Sequence, residues 1–355
     1  ANYSDPKLKS FNADWLKLSE SGELRNNLKK VDELLYTDDS EDSDNITISA
    51  EQLVQFFDNP GKQFAQRRLG LYFDQKQSSI PEDSEPFVAD HLDRYLIQDK
   101  IINTVLSEDD NEQTMTDLMR GFSLSGSLPD TPVIEEDLQQ WQQQACEFAD
   151  HINGLIRQND CQLQPESVSI TIDKVTIEAE LPLSGNTLLY WRLANAKGKD
   201  DMRLWIHHLI AQFAFQNSSQ SFQTRGIFRA AKDDKLLTVH FEPLDSAQKL
   251  LSELIKCWQE GMQEPLLLNA ALGQKHCLIK KDKKNQPVLK PLNDYSFSAF
   301  WHDDFQTQGL GSDPYVNWFW GDSPEIPQWQ AHWQSRIEAI YKPLYEHRQE
   351  NIHND

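Results

Sequence analysis

Residues 168–216 constrain the fold more than any other stretch: VSITIDKVTIEAELPLSGNTLLYWRLANAKGKDDMRLWIHHLIAQFAFQ. Val168, Ile170 and Ile172 alternate with polar residues, the period of a half-buried strand. Residues 175–182 read as a second strand, Ser184-Gly185-Asn186 supplies turn chemistry, and residues 187–193 (TLLYWRL) read as a third. Asp200-Asp201 offers an N-cap to a helix over residues 204–215, interrupted only by His207, His208 and Gln212. A helix apolar almost all round is buried on most of its surface. Strands feeding such a helix predict an α/β fold, a mixed central sheet flanked by helices. Metal-dependent nucleases place their chemistry on a unit of this kind, so the motif strands are the first place to look for function.

The flanking sequence supplies the helices. Residues 37–45 (TDDSEDSDN) form an acidic, polar run that reads either as a surface loop or as a linker, and as a linker it separates a tail (1–45) from the main domain (46–355). Ser49 and Gln52 make a capping box, with Ile48 and Leu53 as a hydrophobic staple. Asn59 caps a second helix with Pro60 at its first position. The corner turns Phe and Leu inward and Arg67-Arg68 outward, an arginine pair read most simply as a solvated face. Residues 90–106 are amphipathic, and a long helix opens at Thr131-Pro132 with a stripe through Ile134, Leu138, Trp141, Ala145, Phe148, Ile152 and Leu155. A hairpin is expected from residues 222–230 and 236–241, a helix capped by Ser246, and short strands at 265–268 and 276–279. The last helix is expected from Ser323-Pro324 through Trp333 and Leu344, with Pro343 kinking or ending it.

Charge and motif content exclude several classes. The formal net charge of −22 makes the whole chain a poor match for nucleic-acid phosphates, so any such contact must be local. Lys280, Lys281, Lys283 and Lys284 form the basic cluster that could make one. The four cysteines carry no C-x-x-C spacing, which predicts reduced thiols and a cytoplasmic protein, with no transmembrane run or signal peptide. Without an initiator Met, the chain is expected to be a piece of a longer protein. A phosphate-binding G-x-x-x-x-G-K-[ST] loop, an H-E-x-x-H and a G-x-S-x-G are all absent. His207 and His208 are adjacent and point to different helix faces, which suits packing better than metal ligation.

A metal phosphodiesterase site needs an Asp on one strand and an acid-x-Lys on the next. Here the first strand ends Glu178-Ala179-Glu180-Leu181-Pro182, and the second reads Tyr190-Trp191-Arg192. Alternation alone does not exclude Glu178 and Glu180 as ligands. The partner strand lacks an acid, so no catalytic residue, metal or cofactor is expected. Arg192 is expected to pair with Glu178 or Glu180 across neighbouring antiparallel strands.

The segments SAEQLVQFFDNPGKQFAQRRLGLYF (49–73), EPFVADHLDRYLIQDKIINTVL (85–106), LLYWRL (188–193) and QEGMQEPLLL (259–268) carry a resemblance. Together they resemble the C-terminal region of the RecC family, the gamma chains of the bacterial exodeoxyribonuclease V, or RecBCD helicase–nuclease. The resemblance extends over residues 10–346. It implies a nuclease-like fold of the PD-(D/E)xK type without its active site, preceded by the tail of a helicase-like region. Pro182, Tyr190 and Arg192 then stand at vestigial nuclease positions, with Pro182 where active relatives carry Asp and Arg192 where they carry Lys. Asn59 stands where some relatives carry a cluster-binding Cys, so no iron–sulfur cluster is expected. The implied role is a scaffold for RecB and RecD that splits and channels DNA in double-strand-break repair, with catalysis in other subunits. Trp318, Phe319 and Trp320 are the candidate partner anchor, with packing of the last helix onto the core as the other reading of this aromatic run, and the isolated chain is expected to be a monomer. Two other readings stay open: a metal nuclease using Glu178 or Glu180, and a protein-interaction module unrelated to DNA.

Overall fold

The computed structural model describes residues 46–73, 91–107, 112–124, 128, 132–158, 162–216, 222–229, 235–281, 287–289, 291–304, 308–321 and 326–354. The tail, the acidic linker and the Ser323-Pro324 helix start therefore lie outside the described residues. So do Lys283 and Lys284.

The chain enters through β1 (Ile46–Ser49) and turns at once into α1 (Ala50–Asp58). The predicted capping box is present: the Ser49 hydroxyl accepts from the Gln52 N–H at 3.1 Å, and the Ser49 N–H donates to the Gln52 side chain at 3.3 Å. Asn59 then caps α2 (Pro60–Arg68), its Oδ1 accepting from the Lys62 N–H at 2.9 Å. These contacts are local, which is why three or four residues of sequence suffice to specify them. Next come α3 (His91–Leu106), α4 (Glu112–Leu124) and the long α5 (Pro132–Gln158). The predicted stripe on α5 packs inward, with Phe148 and Ile152 fully buried.

The central unit follows in the predicted order: β2 (Leu163–Ile172), β3 (Val175–Ser184), β4 (Thr187–Arg192) and α6 (Gly198–Ala214). Gly185, at φ +58°, makes the β3–β4 turn. The helix begins earlier than Asp200-Asp201 suggested. Lys197 occupies the cap position, and Asp200, in the first turn, accepts the Lys197 N–H at 2.8 Å. Gly198 is required there, because a Cβ would overlap the Ala270 carbonyl. Strands β5 (Gln223–Arg229) and β6 (Lys235–Phe241) form the predicted hairpin.

Helices α7 (Ala247–Gly261) and α8 (Ala270–Cys277) come next. Two expected strands are corrected here. Residues 265–268 have no regular structure, and His276 lies in α8, leaving Ile279–Lys281 as the short strand β7. The reason is burial without a sheet partner: Leu266, Leu267 and Leu268 pack into the core as a loop. β8 (Pro287–Leu289) pairs with β7 in a separate two-stranded sheet. The chain closes with α9 (Asp294–Trp301), α10 (Pro314–Trp320), α11 (Ile326–His347) and β9 (Gln349–Asn354). Pro343 does not end α11, which continues through it to His347.

The seven-stranded sheet is mixed and runs β1-β3-β4-β5-β6-β9, with β2 paired to β3. β1–β3 and β4–β5 are parallel, and the remaining pairs are antiparallel. One face packs Ile177, Leu181, Leu188 and Phe241 against α1, α6, α7 and α11. The other packs Leu193, Ile227 and Leu236 against α3 and α5. Among the described residues no helix is long and apolar enough to cross a membrane.

The β2–β3 turn is unusual because both central residues, Asp173 (φ +48°) and Lys174 (φ +67°), occupy the left-handed region without being glycine. Relieving that conformation by Lys174→Gly is expected to raise stability by about 1 kcal/mol. A urea midpoint at or below that of the parent would show that Lys174 makes contacts worth more than the strain.

Candidate functional site

The hairpin of β3 and β4 is closed only at its base, where Leu183 pairs with Leu188 and Ser184 with Thr187. β1 takes the other end of the same β3 edge, from Val175 to Glu178. Residues 179–182 therefore have register partners in β2 alone. Pro182 suits this gap. It faces Pro165 across the β2–β3 ladder. Two opposed prolines fit only a pair that exchanges no hydrogen bonds, so the ring nitrogen of Pro182 is turned toward the gap, where no donor is needed.

Register also decides which predicted residues meet. Leu183 and Leu188 share a face, so Tyr190 and Arg192 lie on the face of Ala179 and Leu181, toward α6. Glu178, Glu180 and Pro182 lie on the opposite face, and both glutamates are exposed. The expected pairing of Arg192 with Glu178 or Glu180 is thus replaced by another. Arg192 Nη2 donates to Asp200 Oδ2 at 2.5 Å and to the Asn195 carbonyl at 2.6 Å. Asp200 is almost fully buried. One turn along α6, Arg203 pairs with Glu51 of α1 and sets its guanidinium 5.5 Å from the Tyr190 ring centroid. Burial raises the Tyr190 phenol above its usual range, so it stays a neutral hydroxyl at physiological pH. Of the three positions Pro182, Tyr190 and Arg192, the last two therefore share this face of β4, while Pro182 lies on the other face of the sheet. The residues that complete the centre, Asp200, Arg203 and Glu51, were not singled out as its members from sequence.

A groove of about 540 Å³ opens on the β3 edge, lined by Ser49, Glu51, Ser169, Glu178, Glu180 and His207 among others. Among the described residues no three His, Cys, Asp or Glu side chains are placed to hold one metal ion. His208 is fully buried and shares a 2.9 Å hydrogen bond between Nδ1 and the Thr224 hydroxyl. Its burial lowers its pKa to about 4. It is a core residue beside Trp205 and Phe241.

The other candidates lie elsewhere. Lys280 and Lys281 sit in β7, opposite Val288 and Pro287. Trp318, Phe319 and Trp320 form the end of α10, which packs on α2: the Phe319 ring is 5.8 Å from Phe64, and Trp320 covers Gly61. Trp318 alone of the three keeps half of its surface exposed.

A mixed α/β domain of order β-β-β-α-β, with its centre closed by two guanidinium–carboxylate pairs, is the class these features define. The chain belongs to the RecC C-terminal domain family, whose model matches residues 45–276. It is 27% identical over 330 residues to the RecBCD enzyme subunit RecC of Escherichia coli strain K12, covering 90% of this chain and 27% of that one. The RecC subunit of Haemophilus influenzae is 24% identical over 219 residues, 59% of this chain and 18% of the relative. That of Buchnera aphidicola subsp. Acyrthosiphon pisum is 24% identical over 280 residues, 76% and 24% respectively. The chain thus spans about a quarter of the length of the curated relatives it matches.

Proposed function

We propose that this chain is the nuclease-like, non-catalytic C-terminal domain of a RecC-type subunit. It serves a RecBCD complex in DNA double-strand-break repair and recombination, in the cytoplasm. It acts as a scaffold for RecB and RecD and helps split and channel the DNA strands, while other subunits carry the chemistry. The observation that carries this reading is the family match over residues 45–276, joined to the state of the motif strands. Where acid-x-Lys chemistry needs an acid and a lysine, the chain has Tyr190 and Arg192, and Arg192 is held by Asp200. The helical corner at Ser49–Arg68 and the β-β-β-α-β order support descent from a nuclease-like fold. Residues 1–45 are read as the tail of a preceding region. A DNA contact at Lys280, Lys281, Lys283 and Lys284 remains part of the proposal.

Two measurements test it. The purified chain is expected to leave linear DNA intact in Mg²⁺ or Mn²⁺, and to co-purify with RecB and RecD. Cleavage that disappears in Glu178→Ala or Glu180→Ala variants would revive the nuclease reading. Failure to associate with either subunit would remove the scaffold reading.

A further inference from the structure

We propose that the C-terminal end of α2, the segment that follows it and α10 together form a binding surface for single-stranded nucleic acid. The inference rests on the DNA-repair reading above and gives that reading a place on the molecule. Arg67 and Arg68 end α2 and are both exposed. Among the described residues no carboxylate lies within ion-pair distance of either, or of Lys62 on the same helix. Arg67 spends one donor on the Gln63 side chain, Nε to Oε1 at 3.0 Å, and keeps the rest of its fork.

After α2 the chain reverses at Gly70 (φ +63°), where the Leu71 N–H returns to the Ala65 carbonyl at 2.9 Å. It then runs beside α10. The Tyr315 hydroxyl accepts from the Phe73 N–H at 3.1 Å and from the Gln66 amide at 2.9 Å. The Phe73 ring packs 4.9 Å from Tyr315 and 5.4 Å from Trp318, and the Lys62 ammonium stands 5.9 Å from the Tyr315 centroid. These contacts make one surface of the three elements. Two aromatic side chains rise from it into solvent, Tyr72 at 71% and Trp318 at 50% exposure.

Exposed aromatic faces accept unstacked bases of any sequence, and arginine forks match phosphate oxygens. A duplex offers no free base face to such rings, which is why a single strand is the fitting ligand. Tyr, Trp and Arg also anchor protein partners. Here the charge decides. In a chain of net charge −22, a site where three cations stand with no described carboxylate in ion-pair reach fits a polyanion.

The test is fluorescence anisotropy of a labelled oligothymidylate of about 20 nucleotides, titrated with the full chain at several salt concentrations. Arg67→Glu with Arg68→Glu is expected to weaken binding at least about tenfold and to make the log–log salt slope shallower by about one. Tyr72→Ala with Trp318→Ala is expected to weaken it several-fold with the slope unchanged. The same charge reversal at Lys249 and Lys256, exposed on α7, serves as control and is expected to change little. All four target side chains are exposed, so urea midpoints of the variants are expected to match the parent. The proposal is overturned by absence of binding, by equal losses in the control, or by unchanged binding in both target variants. If the arginine variant instead loses RecB or RecD with oligonucleotide binding intact, the surface is a protein dock. The inference then fails while the scaffold reading stands.

Discussion

Replacing Arg348 by Ala is expected to lower the stability of the domain by about 4 kcal/mol, the largest effect of any single change described. Asp201 in the first turn of α6 is fully buried, and Arg348, just beyond α11, donates to it from Nε at 2.9 Å. Gln274 of α8 adds a weaker bond at 3.3 Å. The Arg348 side chain is itself 5% exposed and uses Nη1 on Glu350 at 2.7 Å. That outer pair is half in solvent and contributes little. The inner one joins the end of α11 to the start of α6, and its removal leaves a buried carboxylate without a counter-charge.

The pH dependence gives the cause away. Burial holds the Asp201 carboxyl above its ordinary value of 3.8, and Arg348 pulls it back down. Without Arg348 the carboxyl rises further. A group whose folded value lies above its unfolded one takes up its proton first in the folded chain. Stability of the variant therefore increases as pH falls through that raised folded value toward 3.8. The deficit in urea midpoint should be greatest near neutral pH and narrow in acid, and Asp201→Asn should recover part of it. A deficit that does not change with pH would mean that lost packing, and not the stranded carboxylate, is responsible.

How far the sequence could be read follows from the range of each interaction. The Ser49–Gln52 box and the Asn59–Pro60 cap span three residues or fewer, and both were legible. So was the order of strands around Ser184-Gly185-Asn186, because alternation and turn chemistry are local too. The leucines at 266–268 misled because a short apolar run is equally consistent with a strand and with a loop pressed into a core. The centre of the site was half legible. Tyr190 and Arg192 stood out against the acid and lysine that catalysis needs, but the identity of the Arg192 partner depended on register. Only the pairing of Leu183 with Leu188 places Glu178 and Glu180 on the wrong face for it. Asp200 looked like a helix cap, and it does accept the Lys197 N–H, yet the same oxygen also holds the guanidinium. Arg348 and Asp201 are 147 residues apart, and nothing in the local sequence marks them as partners.

Asp200→Ala is expected to cost about 3 kcal/mol, because it breaks a nearly buried ion pair and removes an acceptor from the start of α6. The Asp200 and Arg192 side chains are 3% and 14% exposed. Arg192 Nε already lacks a hydrogen-bond partner, so the variant leaves the guanidinium with only the Asn195 carbonyl. Replacing both residues by Leu should cost much less than the single change, since an apolar pair carries no desolvated charge. Urea midpoints of the two single variants and the double variant decide the matter. If the double variant loses as much as Asp200→Ala, the attraction itself stabilises the fold. If Asp200→Ala loses less than about 1 kcal/mol, the guanidinium has found water, and the pair does not close the centre. Added Mg²⁺ is expected to leave the Arg192→Ala midpoint unchanged, because Glu178 and Glu180 point away from Asp200 on the other face of the sheet. A Mg²⁺-dependent rise would show that the arginine occupies a place where the fold can still gather a metal.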